Sequence, residues 1–90
     1  MTPLRQQMIR AMRQRGFSVR THQSYLAAVS ALARYHGRSP ADLDVGQLQA
    51  YFNYLAQERG LSSASCRLHL NAVRFLYLRV LERASFDVAF

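Results

Sequence analysis

Ser63, Arg67, Asn71 and Arg74 follow one another at spacings of four, four and three, so on a helix they share one flank. Hydroxyl, amide and guanidinium groups in one row are suited to recognition. The planar guanidinium fork grips a phosphate or a guanine edge through two parallel hydrogen bonds, and it sheds hydration more readily than an ammonium group. A second row, Arg20, Gln23, Ser24, Ala27, Ser30, Ala31 and Arg34, lies opposite Tyr25, Val29 and Leu32 at the same period. Its small residues let a helix backbone come close to base edges, which Gln23 or Ser30 can read while the arginines hold phosphates. Gln6, Arg10 and Arg13 make a third strip. One such strip is ordinarily a solvated face. Three of them, with almost no acids nearby, fit a polyanion, and nucleic acid is the leading partner.

The charge is also blocked along the chain. Met1 to Arg38 holds seven arginines and no acid; Ser39 to Glu58 holds Asp42, Asp44 and Glu58 and no base. Arginine returns from Arg59 to Arg83, five residues against Glu82, and the net charge is +7 without a single lysine. A GC-rich codon bias can explain the missing lysine. It does not explain the clustering, which predicts one face for a polyanion and another for something else.

Ninety residues suffice for one domain that buries roughly 60% of the unfolded chain's surface. No apolar run approaches the roughly 20 residues of a membrane span, and the N-terminus, with four arginines before Phe17, holds no apolar run long enough for a signal peptide. The chain is therefore expected to be soluble and cytoplasmic, with no membrane partner. The lone Cys66 reads as a small core residue. His22, His36 and His69 lack metal-ligand spacing, so no metal and no cofactor are expected.

Punctuation divides the chain into four helices. Thr2-Pro3 reads as a cap and first helical residue, and Gly16 as a terminator, giving a helix over about 3–15. Ser18 caps a second over 19–36, closed by Gly37 and Pro40. Asp44 with Gln47 resembles a capping box ahead of Val45, Leu48, Phe52 and Leu55, a helix ending before Gly60. Ser62 caps a fourth, whose apolar stripe Cys66, Leu70, Val73, Tyr77 and Val80 predicts a run to about Arg83. Ser18 and Ser62 read as caps, while Thr21 and Ser65, three residues inside, are placed to reach a phosphate at a helix start. Leu68 and Phe75 are expected to form an exposed apolar patch on helix four, meeting a further domain, a protomer or the segment ending in Phe90. No internal repeat is evident. Residues 1–83 read as the domain and 84–90, where Phe86, Val88 and Phe90 alternate with Asp87 and Ala89, as the start of a connection to another body.

The stretch Gly16-Phe17-Ser18-Val19-Arg20-Thr21-His22-Gln23-Ser24-Tyr25 resembles the G-x-S-x-x-T-x-x-x-Y opening of the N-terminal core-binding, or SAM-like, domain of tyrosine recombinases and phage integrases. Gly60-Leu61-Ser62-Ser63-Ala64-Ser65, leading into Leu70-Asn71-Ala72-Val73-Arg74-Phe75-Leu76-Tyr77, is similar to that family's second signature. The likeness runs from Leu4 to Leu81. It departs from the pattern at Ser65, usually threonine; at Cys66, commonly β-branched; and at Asn71, usually serine. The resemblance implies an all-α, four-helix domain of two crossed antiparallel pairs that covers one side of duplex DNA at a recombination core site, opposite a catalytic domain of the same polypeptide and beside other recombinase protomers. It implies that helices two and four face the major groove, with Thr21 and Ser65 near phosphates, Arg74 the foremost contact, and Tyr25 and Tyr77 packing.

Family chemistry needs a lysine, a His-x-x-Arg element and a nucleophilic tyrosine. This chain has no lysine, and Tyr25, Ser39 and Ala72 stand three residues after its histidines. Its tyrosines lie in apolar helices without a paired base, so no catalytic residue is expected. The DNA-binding set is therefore Arg20, Thr21, Gln23, Ser24, Ser30, Arg34, Ser63, Ser65, Arg67, Asn71 and Arg74. Two other readings are a stand-alone helix-turn-helix regulator, which needs a shorter recognition helix and a tighter turn than 38–44 offers, and a helical protein-interaction module, which leaves the arginines unused.

Overall fold

The computed structural model describes residues 3–86 and 88. Four α-helices follow in order: α1 Pro3–Gln14, α2 Val19–His36, α3 Val45–Gln57 and α4 Ser63–Phe75. A 3-10 turn, Pro40–Asp42, precedes α3, and a π-helical turn, Leu76–Val80, continues α4. The described residues form no strand, so the all-α expectation holds. The expected Thr2 cap, and Asp87, Ala89 and Phe90, lie outside the described residues.

The chain builds one kind of corner twice. Gly16 (φ 69°) and Gly60 (φ 60°) follow α1 and α3 in the left-handed region, where a side chain costs about 1–2 kcal/mol. The next residue returns its N–H to the preceding helix, Phe17 to Met12 and Leu61 to Leu55, both at 3.1 Å, and packs its side chain against the core. Ser18 and Ser62 then cap α2 and α4, each hydroxyl accepting at 3.2 Å from the N–H three residues on. Gly-apolar-Ser-x-x-Thr/Ser is thus a repeated structural unit, one per helix pair. It is too short to stand out as a repeat in sequence.

How the pairs meet follows from their aromatic contacts. Phe17 and Tyr25, at the start of α2, lie 5.3 and 6.1 Å from Phe75 at the end of α4. At the other end of α2, Tyr35 lies 4.7 Å from Tyr54 of α3. Helices α2 and α4 therefore run antiparallel and pack chiefly on each other. Each contributes a buried alanine, Ala28 and Ala72, small enough for two backbones to approach. Met8 and Met12 from α1, with Leu48, Phe52 and Leu55 from α3, close the core.

Three expectations are corrected. Helix four does not run unbroken to Arg83: it widens after Phe75, the Leu81 N–H reaches the Leu76 carbonyl at 2.9 Å, and Glu82 turns left-handed (φ 55°). Phe75, Leu76 and Tyr77 are consecutive and all buried, which a single apolar stripe on a regular helix cannot provide. Phe75 is not part of an exposed patch. It is 9% exposed, covered by Phe17, Tyr25 and the Arg15 guanidinium 5.5 Å from its ring centre, because the α1–α2 corner folds over that side. Leu68 is left 39% exposed without it. Val45, counted in the α3 stripe, is 48% exposed at the first turn, ahead of where α3 meets the core.

Candidate nucleic-acid interface

The flank of α4 is as its spacing requires. Ser63, Arg67, Asn71 and Arg74 are all exposed, while Cys66, Val73 and Tyr77 face inward. On α2, Arg20, Gln23 and Arg34 are exposed and Ser24 is half-buried. Because α2 and α4 pack antiparallel, Arg20 belongs to the end of the seam where Arg74 lies.

The helix starts are tied by matching hydroxyl pairs. Ser18 Oγ donates to Thr21 Oγ1 at 3.0 Å, and Ser62 Oγ donates to Ser65 Oγ at 3.2 Å. Thr21 and Ser65 are half-buried and accept from their caps, which leaves each its own hydroxyl hydrogen to donate. That hydrogen, beside the unpaired N–H groups of a helix start, is the donor available to an anion.

The structure does not bring all the expected residues to one surface. Ser30 accepts a hydrogen bond from Arg5 Nη1 at 3.4 Å, and Ser30 and Arg34 line a groove between α1 and α2. They stand apart from the α4 flank because Ser30 turns toward α1. Other arginines interact within the fold. Arg83 is a structural residue: Nη2 donates to the Ala41 carbonyl at 2.8 Å and Nη1 to that of Leu43 at 3.2 Å, with the guanidinium 4.5 Å from the Tyr77 ring centre. No local pattern in the sequence announces this, since the partners are about forty residues away. The positive charge of Arg59 acts on His69, whose pKa is lowered first by burial and then by that guanidinium. Arg10 and Arg13 on α1 are exposed as expected.

Among the described residues no cluster of three or more His, Cys, Asp or Glu could hold a metal ion. Cys66 is buried, its thiol 3.8 Å from the Leu61 carbonyl. No helix is long and apolar enough to cross a membrane.

Two capped helix hairpins, packed through α2 and α4 and carrying arginine on their exposed flanks, define a small basic four-helix domain. The chain belongs to the family described as "Phage integrase, N-terminal SAM-like domain", whose sequence profile matches residues 4–86. It is 42% identical over 83 residues to the integrase/recombinase y4qK of Sinorhizobium fredii, covering 92% of this chain and 27% of that protein. It is 41% identical over 66 residues to proteins named integrase/recombinase from Escherichia coli and from Pseudomonas aeruginosa, covering 72% of this chain and 20% of each. The chain thus spans about a quarter or less of the length of these relatives. No solved structure matches.

Proposed function

We propose that this domain binds duplex DNA as the N-terminal clamp of a site-specific tyrosine recombinase, holding a core site for a catalytic domain that follows it in the same polypeptide. The observation that carries the reading is the exposed row Ser63, Arg67, Asn71 and Arg74, free of acids, on the helix packed against α2. Arg20, Thr21, Gln23 and Ser24 extend the face along α2, with Ser65 at the start of α4. Arg34 and Ser30, on the groove side, are peripheral to it. Base edges would be read by Arg74, Asn71 and Gln23, and phosphates held by Arg20, Arg67 and the Thr21 and Ser65 hydroxyls.

In this reading the domain performs no strand cleavage itself: it positions DNA, needs no cofactor, and residues beyond about 83 lead to the catalytic body. Membership of the integrase family and the similarity to proteins named integrase/recombinase support it. A regulator with a short recognition helix is disfavoured by the 18 residues of α2.

Titrating the 90-residue protein against duplex DNA at several salt concentrations tests the reading. A log–log slope of roughly one unit per phosphate contacted is expected. Affinity indifferent to salt, or no binding at low salt, would overturn it.

A further inference from the structure

Between α1 and α2 lies a groove of about 800 Å³ that DNA binding leaves unexplained. Its walls and floor are apolar, from Leu4 and Met8 on α1, Leu26 and Val29 on α2, and Pro40 and Leu76 beneath. Arg5, Arg34 and Arg38 stand among its lining residues, and no acid does. A sugar-phosphate backbone could use the arginines but would gain nothing from the apolar interior, because phosphate contacts are polar and lie on a convex duplex.

We propose that this groove docks an acidic amphipathic helix of a partner protein. Apolar side chains at helical spacing would enter between Leu4 and Leu26, and carboxylates beside them would meet the arginines. The complementarity is specific in layout. Arg34 stands in the last turn of α2 and Arg38 just past its Gly37 cap, four residues apart, with Arg5 on the facing helix. Arg5 already reaches across, its Nη1 at 3.4 Å from Ser30 Oγ. A helix lying in the groove thus meets positive charge on both sides, with the Arg34 and Arg38 guanidiniums suited to hold its carboxylates. A second copy of this chain, at net +7 with arginine-rich helices, is a poorer electrostatic match.

The test uses the 90-residue protein and a fluorescein-labelled peptide of about five helical turns, with leucines along one stripe and glutamates beside them. Anisotropy at near-physiological salt should show saturable binding. The same peptide with its leucines replaced by serine should bind at least about tenfold more weakly, as should the original peptide to Arg38→Glu. Amide shifts should move at Leu26, Val29 and Ala33. Equal affinity for the serine peptide would reduce the effect to net charge and overturn the proposal. So would shifts confined to α4, or duplex DNA moving the groove amides where the peptide does not. Should Arg38→Glu fail to fold, the two peptides on the unaltered protein still decide, independently of whether the α4 face binds DNA.

Discussion

Tyr77 donates its phenolic hydrogen to the carbonyl oxygen of Pro40, 37 residues earlier in the chain. This bond joins the π-helical turn after α4 to the 3-10 turn before α3, two short elements whose conformations local propensity does not dictate. Arg83 reinforces the joint from outside, bonding to the Ala41 and Leu43 carbonyls over the Tyr77 ring, and Phe86 stacks on that ring at 5.9 Å. The direction in which the chain leaves the domain is therefore set by side chains reaching back to the α2–α3 connection. For the clamp proposed above, joined to a catalytic body, this joint would supply a fixed exit.

Replacing Tyr77 with Phe keeps the ring and its stacking but removes one of two donors to the Pro40 carbonyl, which retains the Leu43 N–H at 3.3 Å. The cost expected is about 0.5–1.5 kcal/mol, the net contribution of one hydrogen bond. In urea the unfolding midpoint should fall with little change in slope. An unmoved midpoint would show that the bond contributes nothing to the joint.

Burial pushes the Tyr77 hydroxyl up to about 12, against the pull of Arg83 and with a smaller push from Asp42. An unfolded tyrosine titrates near 10. Because the folded value is the higher, the stabilisation is complete below about pH 10 and is lost as pH rises from there towards 12. Tyr51 is raised as well, also by burial first, so Tyr77→Phe should flatten this alkaline decline without abolishing it. Unfolding free energies across that window would check the difference. Parallel curves for the two proteins would count against the Tyr77 contribution.

His69 works in the opposite direction. Burial, then Arg59, lowers its pKa, and its Nδ1 is buried without a hydrogen-bond partner. A depressed folded value means that the stabilisation is present above the unfolded pKa of about 6.5 and is lost as pH falls below it. His69→Gln should be less sensitive than the unaltered protein as pH falls below about 6.5, measured by thermal unfolding at several pH values. Equal acid sensitivity would place the proton uptake elsewhere.

The contrast between these sites and the helix caps shows what the sequence carried openly. Ser18, Ser62 and the Asp44–Gln47 box act over three residues, and all three form as their spacing requires, the box with bonds of 3.0 and 2.8 Å. The α4 flank was equally legible, because helical period alone places Ser63, Arg67, Asn71 and Arg74 together. Phe75, Arg83 and the α1–α2 groove were not. Each depends on a distant segment arriving at one side of a helix, and an arginine that binds carbonyls looks in sequence like one that awaits a phosphate.

Glu82 is the described non-glycine residue with positive φ, at 55°, where α1 and α3 are followed by glycine. Relieving this conformation by Glu82→Gly should raise stability by about 0.5–1 kcal/mol, the left-handed penalty less the added chain entropy of glycine. Glu82 lines a shallow pocket with Arg10 and Arg79, and the substitution removes a negative charge from beside them. Because Glu82 is exposed, that loss should be small. Chemical denaturation decides the sign, and a net loss would mean that the arginines hold the turn more firmly than the backbone resists it.

Arg67 and Arg74 share the α4 flank but are expected to differ in what they contribute to DNA binding. A phosphate contact adds affinity for every sequence and releases counterions, so Arg67→Ala should lower the salt slope by about one unit and weaken all duplexes alike. A base contact adds discrimination, so Arg74→Ala should cost about 1–3 kcal/mol on a preferred site and much less on random DNA. Comparing both variants on both duplexes at two salt concentrations separates the roles, since only the Arg74 loss should depend on sequence. If both variants weakened both duplexes equally, the face would be an electrostatic platform, and sequence choice would have to come from α2 through Gln23 or from the catalytic body proposed above. If neither variant changed binding, the α4 flank would not be the interface at all, because two exposed guanidiniums on it cannot both be silent in a complex held largely by phosphate contacts.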